Sequence, residues 1–268
     1  MRFPYVAQIA GVQGRGRSSE AWDPALGLAG WRFPVPAYGA TQEDLVAIAR
    51  ADPCQRWAIP LGLAQPLIDA VTQDLEVHRY RDFEGLVCSC YGVASTVGLM
   101  SMHIIGYLSD EAIPGAVMQG VAPQQTNSLR AIGEDYRTGR LCLARDELAE
   151  FGRSETSSSR PGLSESWRAL MGFRFARGRR LYAEAHPGTR LLSPDGPFAI
   201  QAVTGLYRGI PDPIKRNDID VFIRWAQFPA ARRARLLTGL WLFARLGNRG
   251  RRDSERGAPQ RMTRVRVV

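Results

Sequence analysis

The stretch FEGLVCSCYGVASTVGLMSMHIIGY, residues 83–107, constrains the fold more than any other. It is apolar nearly all round, and a helix apolar on every side must be enclosed by other elements. Gly92, Ala94, Ser95 and Gly98 keep its surface thin, so neighbouring backbones can approach closely. No run of about eighteen uninterrupted apolar residues occurs in the chain, so a membrane-spanning helix is not expected. The reading is a central buried helix with the rest of the chain packed around it.

The flanking segments supply the enclosing pieces. LAQPLIDAVTQDLEVHRY (63–80) carries Leu67, Ile68, Val71 and Leu75 at helical spacing. TQEDLVAIARAD (41–52) opens on Thr41 as a helix cap, with Glu43 and Asp44 at the positive end of the dipole. Further helices are expected over about 111–137, 163–185, 197–210 and 214–227, with little strand-like alternation anywhere. Pro211 and Pro213 should break the chain near Ile210, because an interior proline removes a hydrogen bond and costs about 3 kcal/mol. Residues 1–40 are rich in Gly and Pro and read as loop or disordered material, as does the Ser/Pro-rich stretch 152–162. The expected organisation is an irregular piece over 1–40, a helical domain over 41–247 and a disordered basic tail over 248–268. With 45% apolar residues in 268, such a domain can bury a substantial core.

The formal charge of +9 is local. The arginines from Arg232 onward, less Asp253 and Glu255, already amount to +9, so the remainder is close to neutral. Nucleic acid is therefore not expected as a partner; the tail reads as solvated chain or as a contact with anionic lipid. LLTGLWLFARL (236–246) suits either a membrane surface or a core helix. Cys54, Cys88, Cys90 and Cys142 lack the spacing of a zinc site and follow no secretory leader. The expected location is cytoplasmic, with peripheral membrane contact as the alternative.

Chemistry concentrates in TNSLRAIGEDYRTGR (126–140). On one helix, Asn127, position 131, Glu134 and Asp135 share a face, with Arg130 beside them. Two acids and an amide aimed one way suit Mg²⁺ or a diphosphate, or are simply a solvated helix face. Position 131, at the centre, is Ala131.

Three stretches in order, SCYGVASTVGLM (89–100), QQTNSLRAIGEDYRTGRLCLARDEL (124–148) and LYRGIPDPIKRNDIDVF (206–222), resemble the squalene and phytoene synthase family of head-to-head prenyl transferases, closest to the phytoene branch. The resemblance implies an all-α, isoprenoid-synthase-type helical bundle around a central apolar cavity. It implies condensation of two prenyl diphosphates with loss of diphosphate, geranylgeranyl diphosphate to phytoene, in carotenoid biosynthesis. It also implies a Mg²⁺ (or Mn²⁺) cluster held by Asn127, Glu134 and Asp135. By the same resemblance Gln124, Arg130, Tyr91 and Val93 contact substrate, and Asp135 and Tyr207 are catalytic. The chain departs from the family pattern at Ala131, where an aspartate is expected, and at Ser89, Cys142 and Ala144. Nothing in 1–60 matches the family's first acidic motif, so the bundle is expected to be N-terminally incomplete. Two readings stay open: a prenyl transferase of impaired turnover, or a non-catalytic relative that binds prenyl diphosphate or a partner subunit. The oligomeric state is not indicated.

Overall fold

The computed structural model describes residues 53–74, 76–155, 164–193, 196–222, 226 and 229–255, with the backbone alone at 61 and 243–255. The helix expected over 41–52, the boundary near 40 and the end of the tail lie outside the described residues.

The apolar stretch forms one helical column in three parts. Helix α2 (Phe83–Cys90) runs into a π-helical turn (Tyr91–Ser95) and then into α3 (Thr96–Ile105). Asp82 caps its start by accepting from the Gly85 N–H at 2.9 Å. Gly106, with φ of 88°, ends it in the left-handed region. The column is long and apolar enough to cross a membrane, yet 44% of its most apolar eighteen-residue stretch is buried inside the fold. Its small residues explain how. A Cβ on Gly92 would lie 2.3 Å from the Ala70 Cβ of α1 (Ala64–Gln73). Ser95, for its part, meets Gly120 of α4 (Ala112–Arg137), where a Cβ would sit 2.4 Å from the Ser95 Cα. The Ser95 hydroxyl then donates to the Val117 carbonyl at 2.7 Å, which fixes the crossing.

Helix α4 is the spine of the molecule. Its Val117, Met118 and Val121 join Val87, Leu99, Met102 and Leu181 in one core cluster. Further along, Leu129 and Ile132 join Leu141, Leu143, Trp167, Leu170, Met171 and Ile214 in a second. The remaining elements are α5 (Arg145–Glu150), α6 (Glu165–Ala185), a 3₁₀ segment (His186–Leu191), α7 (Gly196–Arg208), α8 (Pro211–Arg216) and α9 (Ala230–Glu255). The architecture is an all-α bundle around an apolar cavity.

Two local expectations are corrected and a third is met. Helix α1 stops at Gln73 rather than continuing to 80, and Arg79–Tyr80 becomes strand β1, paired in parallel with β2 (Leu141–Ala144). Long-range contacts outweigh helical spacing there: Tyr80 is buried with its hydroxyl donating to Ser89 Oγ at 3.0 Å, and Arg79 pairs with Glu155 at 2.8 Å. The prolines break the chain between Arg208 and Pro211, as their positions required, but each then sits in the first turn of α8, where a missing N–H costs nothing. The helix expected to 227 ends at Arg216, beyond which Asp218 and Ile219 take φ of 60° and 62°.

One buried polar knot ties four elements together. Glu147 of α5 accepts from Arg174 of α6 at 2.5 Å and also from Arg177. Arg174 donates in addition to the Gln125 side-chain oxygen of α4 at 3.0 Å, and the Gln125 amide reaches Cys90 Sγ of α2 at 3.3 Å. Arg177 lies 3.6 Å from the Phe83 ring centroid, a cation–π contact.

Candidate active site

On α4, residues 112, 115, 116, 119, 120 and 123 recur at helical spacing and all but Gln119 are Ala, Gly or Pro. Thin side chains on a spine leave a hollow between it and its neighbours. The hollow is a cavity of about 430 Å³ walled by α3, α4, the 3₁₀ segment and α7. The pairings give its direction. Ser95 lies against Gly120, and Gly98, further along the column, against Ala116, so α3 runs antiparallel to α4. The Gln119 amide donates to Thr204 Oγ1, so α7 lies alongside. One end is bounded by Ile105, Ala112 and Leu192, and the other by Val93, Gln124 and Tyr207. Along α4 from Ala112 to Gln124 that is about 18 Å at 1.5 Å per residue. Met102, Ile105, Ile200 and Val203 make most of the wall apolar.

The same face of α4 continues past Gln124 as a polar strip. Asn127 comes one turn later, with its side-chain oxygen accepting from the Arg130 guanidinium. Ala131 follows, then Glu134, which is exposed, and Asp135, which is half-buried. Burial pushes the Asp135 carboxyl above its ordinary range, opposed by a hydrogen bond with Cys142 and by the charge of Arg140. Burial and the neighbouring carboxylate push the Cys142 thiol up to about 12. Arg140 pairs with Asp74 at 3.0 Å and also feels Asp135, so one guanidinium serves both acids. Tyr80 completes the group, its phenol raised to about 12 by burial and hydrogen-bonded to Ser89.

Of the residues singled out from sequence, Val93, Gln124 and Tyr207 meet in the cavity wall. Asn127, Arg130 and Asp135 continue from it along α4, whereas Glu134 projects to solvent. Tyr91 packs half-buried against the first core cluster and does not line the cavity. Sequence reasoning missed the pairing of Asp74 with Arg140, because the partners lie on elements that only the β1–β2 pairing brings together. The cavity lining of α4 did have a signal, the spacing of its small residues.

A divalent cation needs several hard oxygen donors in one place. Among the described residues no three His, Cys, Asp or Glu side chains are arranged to hold a metal ion, and Arg140 already neutralises Asp74. These residues do not make a metal centre by themselves.

A family model for squalene/phytoene synthase matches residues 9–238. The 15-cis-phytoene synthase of Synechococcus elongatus is 36% identical over 208 residues, covering 73% of this chain and 68% of that protein. The phytoene synthase of Arthrospira platensis is 35% identical over 214 residues, covering 75% and 69%. Phytoene synthase 3 of Zea mays, a chloroplastic protein, is 32% identical over 225 residues, 81% of this chain but only 53% of its own length. Among solved structures, a dehydrosqualene synthase in complex with ligand superposes with a TM-score of 0.70 at 22% identity, covering 76% of this chain and 72% of that one. Squalene synthase HpnC from Alicyclobacillus acidocaldarius gives 0.62 at 23% identity, covering 67% and 68%. At these identities the structural likenesses speak to the fold alone.

Proposed function

This chain belongs to the squalene/phytoene synthase family, and from that membership we propose that it joins two prenyl diphosphates head to head, geranylgeranyl diphosphate to phytoene, with loss of diphosphate. The observation that carries the reading is the join between an apolar cavity about 18 Å long and the polar strip beginning at Gln124 on α4. A water-insoluble chain with an anionic head needs that combination. The chain lies along Ala116, Met102 and Val203, and the head meets Gln124, Asn127 and Arg130.

The reaction breaks an allylic carbon–oxygen bond, with diphosphate leaving on the electron pair. The allylic cation then adds to the double bond of the second chain and forms the new carbon–carbon bond; loss of a proton, departure of the second diphosphate and loss of a second proton give phytoene. Arg130 offsets the charge of the departing anion. The apolar wall keeps water from the cation, and Tyr207 presents its ring or hydroxyl at the reacting end. Relatives of this kind use a divalent metal; Mg²⁺ is the ion proposed here, with Asn127 and Asp135 contributing to its surroundings.

A second reading is favoured by one residue. Ala131 puts a methyl group in the middle of the polar strip, where it binds neither metal nor phosphate. On that reading the cavity holds a prenyl diphosphate without turning it over.

Replacing Ala116, which lines the cavity, tests the occupant common to both readings. Ala116→Phe should weaken binding of a non-reactive geranylgeranyl thiodiphosphate by about tenfold or more, since each excluded methylene is worth about 0.8 kcal/mol. Binding of inorganic diphosphate should not change. Equal affinities of the two proteins for the prenyl analogue would remove the chain from this cavity.

A further inference from the structure

A second, smaller cavity lies behind α4, on the side turned away from the polar strip. At about 3.6 residues per turn, Gly120, Gln124 and Asn127 fall on one side of α4, and Gln125, Thr126 and Leu129 on the opposite side. The latter three, with α6 from Arg174 to Tyr182 and with Arg208 and Pro211, wall a cavity of about 110 Å³. That is the volume of a few water molecules at about 30 Å³ each, room for one phosphate-sized group. Four arginines line it, Arg174, Arg177, Arg179 and Arg208, and among the described residues no Asp or Glu does. Gly178 stands between two of them, and a Cβ there would meet nothing within 4 Å, so space is left open beside the guanidinium groups.

The charge around this cavity does not balance. Arg174 and Arg177 are nearly enclosed, with side chains 1% and 11% exposed, and among the described residues Glu147 alone pairs with them. Two buried guanidinium groups on one carboxylate leave a net positive charge where water screens it poorly. Burial pulls the Arg177 guanidinium below its ordinary range; Glu147 opposes this, and Arg174 and Arg180 add to it. Arg179 and Arg208 bring two more positive charges, both exposed and neither in an ion pair among the described residues. Like charges gathered in this way repel one another, and an anion among them relieves the repulsion.

We propose that this cavity binds inorganic phosphate, with Arg174 and Arg177 at its enclosed side and Arg179 and Arg208 at its mouth. The planar fork of a guanidinium meets a tetrahedral oxyanion two oxygens at a time, which a chloride ion cannot reproduce. Thr126 and Tyr182, whose hydroxyls are 2.9 Å apart, complete the wall. Occupancy ties α7 to α6 through Arg208. The next residue, Tyr207, bounds the substrate cavity, so the anion steadies the helix that carries it. The site is separate from the polar strip and rests on no reading of the reaction.

The test is thermal melting and calorimetry of the full chain without Mg²⁺, titrated with sodium phosphate against sodium chloride at equal ionic strength. Phosphate should raise the melting temperature saturably above chloride. Arg179→Gln/Arg208→Gln should weaken phosphate by about tenfold or more, whereas Arg130→Gln, on the polar strip, should leave its affinity unchanged. Gly178→Glu adds a carboxylate beside the arginines. It should abolish phosphate binding and, without phosphate, melt above Gly178→Gln, which matches it in size and helix propensity. Phosphate no better than chloride, full affinity in the double variant, or loss of affinity in Arg130→Gln alone overturns the proposal. Tighter binding of glycerol 3-phosphate than of phosphate also overturns it, since the cavity would then receive the phosphoryl end of a larger molecule rather than the free ion.

Discussion

Ala131 leaves the strip on α4 one carboxylate short, and its neighbours show what the remaining groups do instead. Arg130 is drawn to Asn127, and Arg140 is shared between Asp74 and Asp135. Ala131→Asp should raise affinity for diphosphate in the presence of Mg²⁺ by on the order of tenfold, as an added charged ligand does; calorimetry showing no gain would count against the strip as drawn. Asp135 carries a pH signature. Its folded carboxyl is raised by burial, so its contribution to stability is fully present below the unfolded carboxylate value and is lost as pH rises through the folded one. Asp135→Asn should flatten the thermal stability profile across that window and make the protein relatively more stable at neutral pH. A profile unchanged from the parent would mean that Asp135 is as well solvated folded as unfolded. Residue types and helical spacing made this strip legible in the sequence. The ion pair from Asp74 to Arg140 was not, since nothing local records which distant element faces a side chain.

Among the elements, the column of α2, the π-helical turn and α3 shows how far pattern reaches. Its burial and the closeness of its neighbours were readable from Gly92, Ser95 and the all-round apolarity. The π-helical turn was not, because one extra residue per turn leaves the composition unchanged. The end of α1 at Gln73 was also hidden, since the stripe through 63–80 suits a helix until β2 offers Arg79 and Tyr80 a partner. Pro211 and Pro213 did announce their break, because proline acts through its own covalent geometry. The knot around Glu147 is what fixes α5 and α6 against α4. Removing the carboxylate strands two buried guanidinium groups, so Glu147→Gln should destabilise the protein by about 3–5 kcal/mol. Denaturant melting gives the number; a loss under about 1 kcal/mol would place these arginines in contact with water after all.

At the scale of the whole molecule, a spine helix with thin side chains opens an apolar cavity, the far half of the same helix carries the polar strip, and α7 joins the cavity to the basic helix α9. The fold class and the three ordered motifs were legible because they depend on spacing within single helices. The direction and opening of the cavity depend on how three helices cross, which no single segment encodes. The most direct measurement is extraction and chromatography of products after incubating the purified chain with geranylgeranyl diphosphate and Mg²⁺. Phytoene above a protein-free control is the predicted result. No phytoene from a folded, helical protein that still binds the thiodiphosphate analogue would contradict head-to-head transfer and leave prenyl diphosphate binding as the function of the cavity.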